Sequence, residues 1–196
     1  MAGSKSNASV SKTGNAENTA TPAAEGVSGQ SSKNGLMKIF TEELKDIYSA
    51  EKQLLKALPK IVEAASSSEL KEAIKNHLEE TQEQAKRIEQ VFAMLGIDRE
   101  MKTCKAMQGL IAEGDDIIQS FEQGPVRDAA LIIGSQKIEH YEIAAYGSLC
   151  ELAEVMGKHQ AADLLDTTLE EEENADQMLT EISESINDAA MEAEQD

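Results

Sequence analysis

Glutamate recurs in this chain where an amphipathic helix should be greasy. At roughly 100° per residue, Ile132, Gln136, Glu139, Ile143, Tyr146 and Cys150 share one narrow stripe, with His140 and Gly147 at its edge. Glu51 likewise sits one turn from Ile47 and one from Leu54 and Leu55. His77, Thr81 and Gln84 interrupt a stripe of Leu70, Ile74, Ile88, Val91 and Leu95, flanked by Ala73 and Glu80. Glu172 and Asp176 lie among Leu165, Leu169, Leu179 and Ile186. A bare charge buried among aliphatic groups is costly unless something pairs with it. The partner can be a second acid sharing a proton, a base, or a metal ion. The candidate carboxylate ligands are Glu51, Glu80, Glu139 and Glu172. Asp176, His77 and His140 are candidates for further ligation or for orienting those carboxylates.

The elements that must position these groups are helices. The first is predicted from about Leu36 to Ala65, with Pro59 expected to kink or split it. Ser66-Ser67-Ser68-Glu69 has the spacing of a capping box and opens the second, which Gly96 stops. Residues 97–124 are too long for a bare loop, and Met107, Leu110, Ile111, Ile117, Ile118 and Phe121 predict a helix within them. Pro125 starts the next long helix, which breaks around Met156-Gly157. The last runs from about Ala161 to Ala189, and residues 190–196 form a frayed acidic end. Folding back near residues 66–67 sets Glu51 opposite about residue 82, between Glu80 and Gln84. Folding back near residue 158 sets Glu139 and His140 opposite Asp176, and Ile143 opposite Glu172. Acids from four helices at one level predict an all-α four-helix bundle over residues 35–189, its second and third long helices joined by a crossover that carries an extra helix. Glu79, Glu83, Glu170, Glu171 and Glu173 project away and read as solvated charges. Leu131, Ile138 and Leu149 lie off the main stripe and are expected to pack on the crossover helix or, as the alternative, on a second subunit.

Composition narrows the function. The net charge of −19 disfavours nucleic acid and anionic membranes, which reward Lys and Arg. Aromatics make up 3% and Trp is absent, so the core must be aliphatic. No apolar run is long enough to span a bilayer, no apolar signal core opens the chain, and position 2 is Ala2 rather than a myristoylatable Gly. Cytoplasm is the expected compartment. Cys104 and Cys150 are far apart without a CxxC pattern and read as reduced thiols. Residues 1–34 are rich in Ser, Asn, Ala, Gly and Thr, with Val10 and Val27 their only branched aliphatics. Such a segment cannot bury enough apolar surface to offset its ordering entropy, so a disordered low-complexity tail is expected, with a docking or targeting peptide as the alternative.

Several runs carry a family resemblance: Asp46-Ile47-Tyr48-Ser49-Ala50-Glu51-Lys52-Gln53-Leu54, Ala57-Leu58-Pro59-Lys60, His77-Leu78-Glu79-Glu80-Thr81, Arg127-Asp128-Ala129-Ala130-Leu131, Glu139-His140-Tyr141-Glu142-Ile143-Ala144 and Thr168-Leu169-Glu170-Glu171-Glu172. From about Leu36 to Asn187 the chain resembles the YciF-type stress-response family of ferritin-like proteins. That resemblance implies a ferritin-like four-helix bundle plus one helix, a homodimer, and an association with cellular stress. Ferritin-like sites pair a Glu on two helices with Glu-x-x-His on two others. Here Gln82 follows Glu79 at the third position, Glu83 follows Glu80, and Ala175 follows Glu172. A site this rich in carboxylate leans toward hard ions such as manganese, magnesium or calcium, or toward weak iron binding. Two functional expectations follow. The first is a metal-associated stress protein with a di-metal centre of iron or manganese. At such a centre, oxidation of Fe(II) by oxygen or peroxide is the reaction to test. The second is a non-enzymatic helical dimer or partner-binding protein, whose buried hydrogen-bonded layer only fixes helix register.

Overall fold

Five helices follow one another along the chain: α1 (Ser28–Ala64), α2 (Ser68–Leu95), α3 (Lys105–Ser120), α4 (Pro125–Val155) and α5 (His159–Ala193). The structure, a computed structural model, describes residues 28–100 and 102–195, with side chains from Gly35 onward. Most of the expected low-complexity tail lies outside the described residues, and α1 opens at Ser28, ahead of the predicted Leu36. No strand occurs among the described residues.

The architecture is the predicted all-α bundle. α1 packs on α2 and α4 packs on α5, forming two antiparallel hairpins. α2 then meets α5 while α1 meets α4, which closes a four-cornered bundle, and α3 lies across α1 and α4. Each long helix supplies a stripe to one core. Phe40, Leu44, Ile47 and Leu54 come from α1; Leu70, Ile74, Ile88 and Phe92 from α2; Leu131, Ile132 and Leu149 from α4; Leu165, Leu179 and Ile182 from α5. Burying such side chains contributes about 1.5–3 kcal/mol each, which is what holds the rods together. Leu131 and Ile138 line one small cavity together with Leu110, Ile111, Ile117 and Ile118 of α3 and Ile61 of α1. The crossover helix thus covers the second apolar face of α4, as their positions off the main stripe imply.

Helix ends follow local chemistry. Gly96 and Gly157 terminate α2 and α4 with φ of 65° and 70°, the left-handed conformation that glycine adopts without a Cβ clash. Pro59 is exposed and does not split α1, which continues to Ala64. The cap of α2 is Ser67, whose Oγ accepts the Leu70 N–H at 3.3 Å. This is one residue later than a box starting at Ser66. The shift has a tertiary cause: Asp128 of α4 accepts the Ser66 and Ser67 N–H groups, both at 2.7 Å. A buried carboxylate thereby fastens the α1–α2 turn to the start of α4. The crossover is pinned at Cys104, the N-cap of α3, whose N–H donates to Ser49 Oγ at 3.0 Å. Its Sγ lies 3.1 Å from the Tyr141 hydroxyl, which in turn donates to Asp46 at 3.0 Å. Cys104 and Cys150 are both free thiols.

Candidate metal centre

Halfway along the bundle the aliphatic core gives way to acid. Each long helix delivers at least one ionisable group by holding it between apolar turns. α1 places Glu51 between Ile47 and Leu54, and α2 places His77 between Ile74 and Thr81. α4 contributes Glu139 and Glu142 one turn apart, and α5 contributes Glu172 between Leu165 and Leu179. These five side chains are buried, with residue exposures of 0–4%. Single ligand atoms of His77, Glu139, Glu142 and Glu172 all lie within 4.8 Å of one another. His77 Nε2 is 3.6 Å from Glu139 Oε2, and its Nδ1 is 3.7 Å from Glu80 Oε2. Glu51 completes the layer from the opposite corner, where Tyr146 of α4 donates to its Oε1.

Most of this donor capacity is unused. Ten buried side-chain polar atoms among the described residues lack a hydrogen-bond partner. Eight of the ten belong to this layer: Glu51 Oε2, both nitrogens of His77, Glu139 Oε2, and both oxygens of Glu142 and of Glu172. A native core pairs nearly all its buried polar atoms, so such a concentration needs a cause: a bound ligand, or protons shared between the acids.

Electrostatics fixes where the protons of this layer sit. Burial, followed by the charge of Glu172, pushes the Glu51 carboxyl up to about 8 in spite of the hydrogen bond from Tyr146. Burial likewise pushes Glu139 up to about 8. Glu142 is held well above the carboxylate range by burial and then by the charges of Glu51 and Glu172. Burial also holds Glu172 high, outweighing the favourable charge of His77. For His77 burial alone acts downward, but Glu80, Glu172 and Glu51 more than offset it, and its pKa is raised. Tyr146 is raised by burial and by the charges of Glu51 and Glu142. Without a cation, then, the layer stays close to neutral by keeping its protons.

The seven residues singled out in the sequence separate into a centre and a rim. His77, Glu139 and Glu172 converge in the buried cluster, and Glu51, also buried, lies outside that cluster but feels the charges of Glu172 and His77. Glu80 stands at its edge, its side chain 45% exposed. Asp176 is half-buried and accepts from Gln136 Nε2 at 3.3 Å. His140 projects into solvent, its side chain 69% exposed, with Nε2 3.5 Å from Asp176. Glu142 was not among the candidates, although it is fully buried in the cluster. Its spacing from Glu139 and Tyr146, three residues after one and four before the other, is the helical signal that marks it. Glu171, expected to be solvated, is instead forked by Arg87 of α2 at 2.5 and 2.6 Å and also accepts from Gln84 at 3.2 Å.

An all-α four-cornered bundle with a carboxylate–imidazole layer at mid-height belongs to the ferritin-like class of architectures. Residues 35–192 match the family described as "Domain of unknown function (DUF892)", and the chain belongs to that family. It is 50% identical over 159 residues to Protein YciF of Escherichia coli strain K12, an alignment covering 80% of this chain and 93% of that protein. The crystal structure of the E. coli stress protein YciF superposes with a TM-score of 0.76 at 46% identity, covering 78% of this chain and 97% of that one. YcfI of Rhodopseudomonas palustris superposes with a TM-score of 0.72 at 41% identity, covering 74% and 92%. No helix among the described residues is long and apolar enough to cross a membrane.

Proposed function

We propose that this chain is a metal-binding stress-response protein whose bundle core holds a divalent cation, manganese or iron, through His77, Glu139, Glu142 and Glu172. The observation that carries this reading is the concentration of unpartnered buried donors in one layer, eight atoms on five side chains. Three carboxylates and one imidazole suit hard to borderline ions better than thiophilic ones. Glu51 Oε2, together with the second oxygens of Glu142 and Glu172, supplies the donors left for a second ion, so a di-metal centre belongs to the same reading. Glu80 Oε2 stands 3.7 Å from His77 Nδ1 while Nε2 faces Glu139, so the charge of Glu80 acts on the ring without a hydrogen bond between them. Tyr146 donates to Glu51 Oε1 and holds that carboxyl in place.

Bound iron would bring redox chemistry toward oxygen or peroxide, whereas manganese, magnesium or calcium would bring chiefly a fixed charge. What the chain itself supplies is a dry, acidic layer and the protons it gives up on binding. The association with stress comes from the E. coli relative described as a stress protein. A cytoplasmic homodimer completes the proposal.

The competing reading is a purely structural polar layer. The Tyr146–Glu51 hydrogen bond and the raised carboxyl pKa values favour it, because protonated acids can donate to one another. Equilibrium dialysis against Mn(II), and against Fe(II) under anaerobic conditions, separates the two. The metal reading expects one to two ions per chain, lost in Glu142→Gln and Glu172→Gln. A wild-type protein that takes up neither ion, with no rise in Tm, leaves the structural layer standing.

A further inference from the structure

A cavity of about 420 Å³ opens between α2 and α5 and reaches the buried layer. His77 and Glu139 form part of its lining, so two of the four clustered ligands face it. Nearer the solvent its walls carry Glu79, Glu80, Glu83 and Glu171. Glu83 is paired with Lys86 at 2.6 Å, and Glu171 with Arg87. Glu80 turns its carboxylate toward His77 instead. The independent observation is at the histidine: its side chain is 5% exposed, and Nδ1, on the Glu80 side, has no hydrogen-bond partner.

We propose that this cavity is the route by which divalent cations reach the core, with Glu80 and His77 Nδ1 forming an outer landing position ahead of the inner cluster. This rests on the metal-binding reading above and adds a path and a second position to it. Acidic walls around a low-dielectric cleft focus the field and raise the local concentration of cations. The imidazole stands between the two positions, with Nδ1 toward Glu80 and Nε2 toward Glu139. A neutral imidazole offers one lone pair at a time. His77 therefore serves the outer or the inner position but not both, and the outer one is a way station. Ala175 of α5 lines the opposite wall, and a larger side chain there narrows the passage while leaving the cluster untouched.

The test is the rate of Mn(II) uptake by the full chain, followed by loss of the free-ion electron paramagnetic resonance signal, in wild type, Glu80→Gln and Ala175→Leu. Uptake is expected to slow by about tenfold in Glu80→Gln, the low end of what electrostatic focusing supplies, and to slow in Ala175→Leu with the wild-type final content still reached. The two substitutions act by different physics, one removing charge and the other blocking space, so misfolding of either leaves the other decisive. A wild-type rate in a folded Glu80→Gln or Ala175→Leu overturns the route. Wild-type protein that takes up no Mn(II) at any time overturns the metal-binding reading itself, and the route with it.

Discussion

Replacing Glu142 by Gln removes a fully buried, unpartnered acid with little change of shape, and its consequence depends on pH. Glu142 is fully buried and its folded pKa lies well above the ordinary 4.5, first because of burial and then because of Glu51 and Glu172. The folded chain keeps this proton while the unfolded chain releases it near pH 4.5, so the folded state binds more protons above that pH. Stability present below pH 4.5 is therefore lost as pH rises toward the folded value. The slope is about 1.4 kcal/mol per pH unit for one such group. Every pH unit between 4.5 and 7 over which only the folded chain keeps the proton contributes that slope, or roughly 3–6 °C in Tm for a chain of this size. Glutamine does not ionise. Its own buried amide costs something, but equally at every pH. Metal-free Glu142→Gln should therefore gain on wild type steadily as pH rises, whatever its offset at low pH. Urea unfolding in chelator across that range reads the difference directly. With Mn(II) at neutral pH the ranking should swing back, because only the wild type keeps the full donor set. Parallel pH curves for the two metal-free proteins would refute the claim that Glu142 is held protonated in the core.

Tyr146→Phe deprives Glu51 of its only hydrogen-bond donor among the described residues, and a loss of about 1–3 kcal/mol in urea unfolding is expected. A change below about 0.5 kcal/mol would mean that this contact contributes nothing measurable. Asp128→Ala strips the acceptors from the Ser66 and Ser67 N–H groups. It should cost about 2–4 kcal/mol, with Asp128→Asn intermediate. A wild-type Tm in Asp128→Ala would show that water replaces the carboxylate freely.

The helices were legible because their periodicity, caps and breakers all point to the same elements. Gly96, Pro125 and Gly157 punctuate the chain where the sequence puts them. The crossover helix was legible too, since residues 97–124 carry apolar residues at helical spacing. The buried layer was visible through Glu51, His77, Glu139 and Glu172, each flanked by aliphatic turns. Glu142 lies off the narrow stripe of α4, yet α1, α3 and α5 all pack against that helix. It is buried over much of its circumference, so a polar residue off the main stripe is still inside. His140 and Asp176 show the converse. Both sit near a stripe in projection, but His140 reaches solvent and Asp176 stays at the rim. Glu171 could not be placed from α5 alone. Its burial depends on Arg87, which lies 84 residues away on α2. The one-residue shift of the α2 cap depends in the same way on Asp128, a tertiary partner that local capping rules do not see.

The most direct test of the central claim is anomalous diffraction from crystals grown with Mn(II), recorded at the manganese edge. The account expects a peak within about 2.0–2.4 Å of His77 Nε2 and of carboxylate oxygens from Glu139, Glu142 and Glu172. A difference map that is empty at this layer, with the acids instead bonded to one another and to Tyr146, would contradict it.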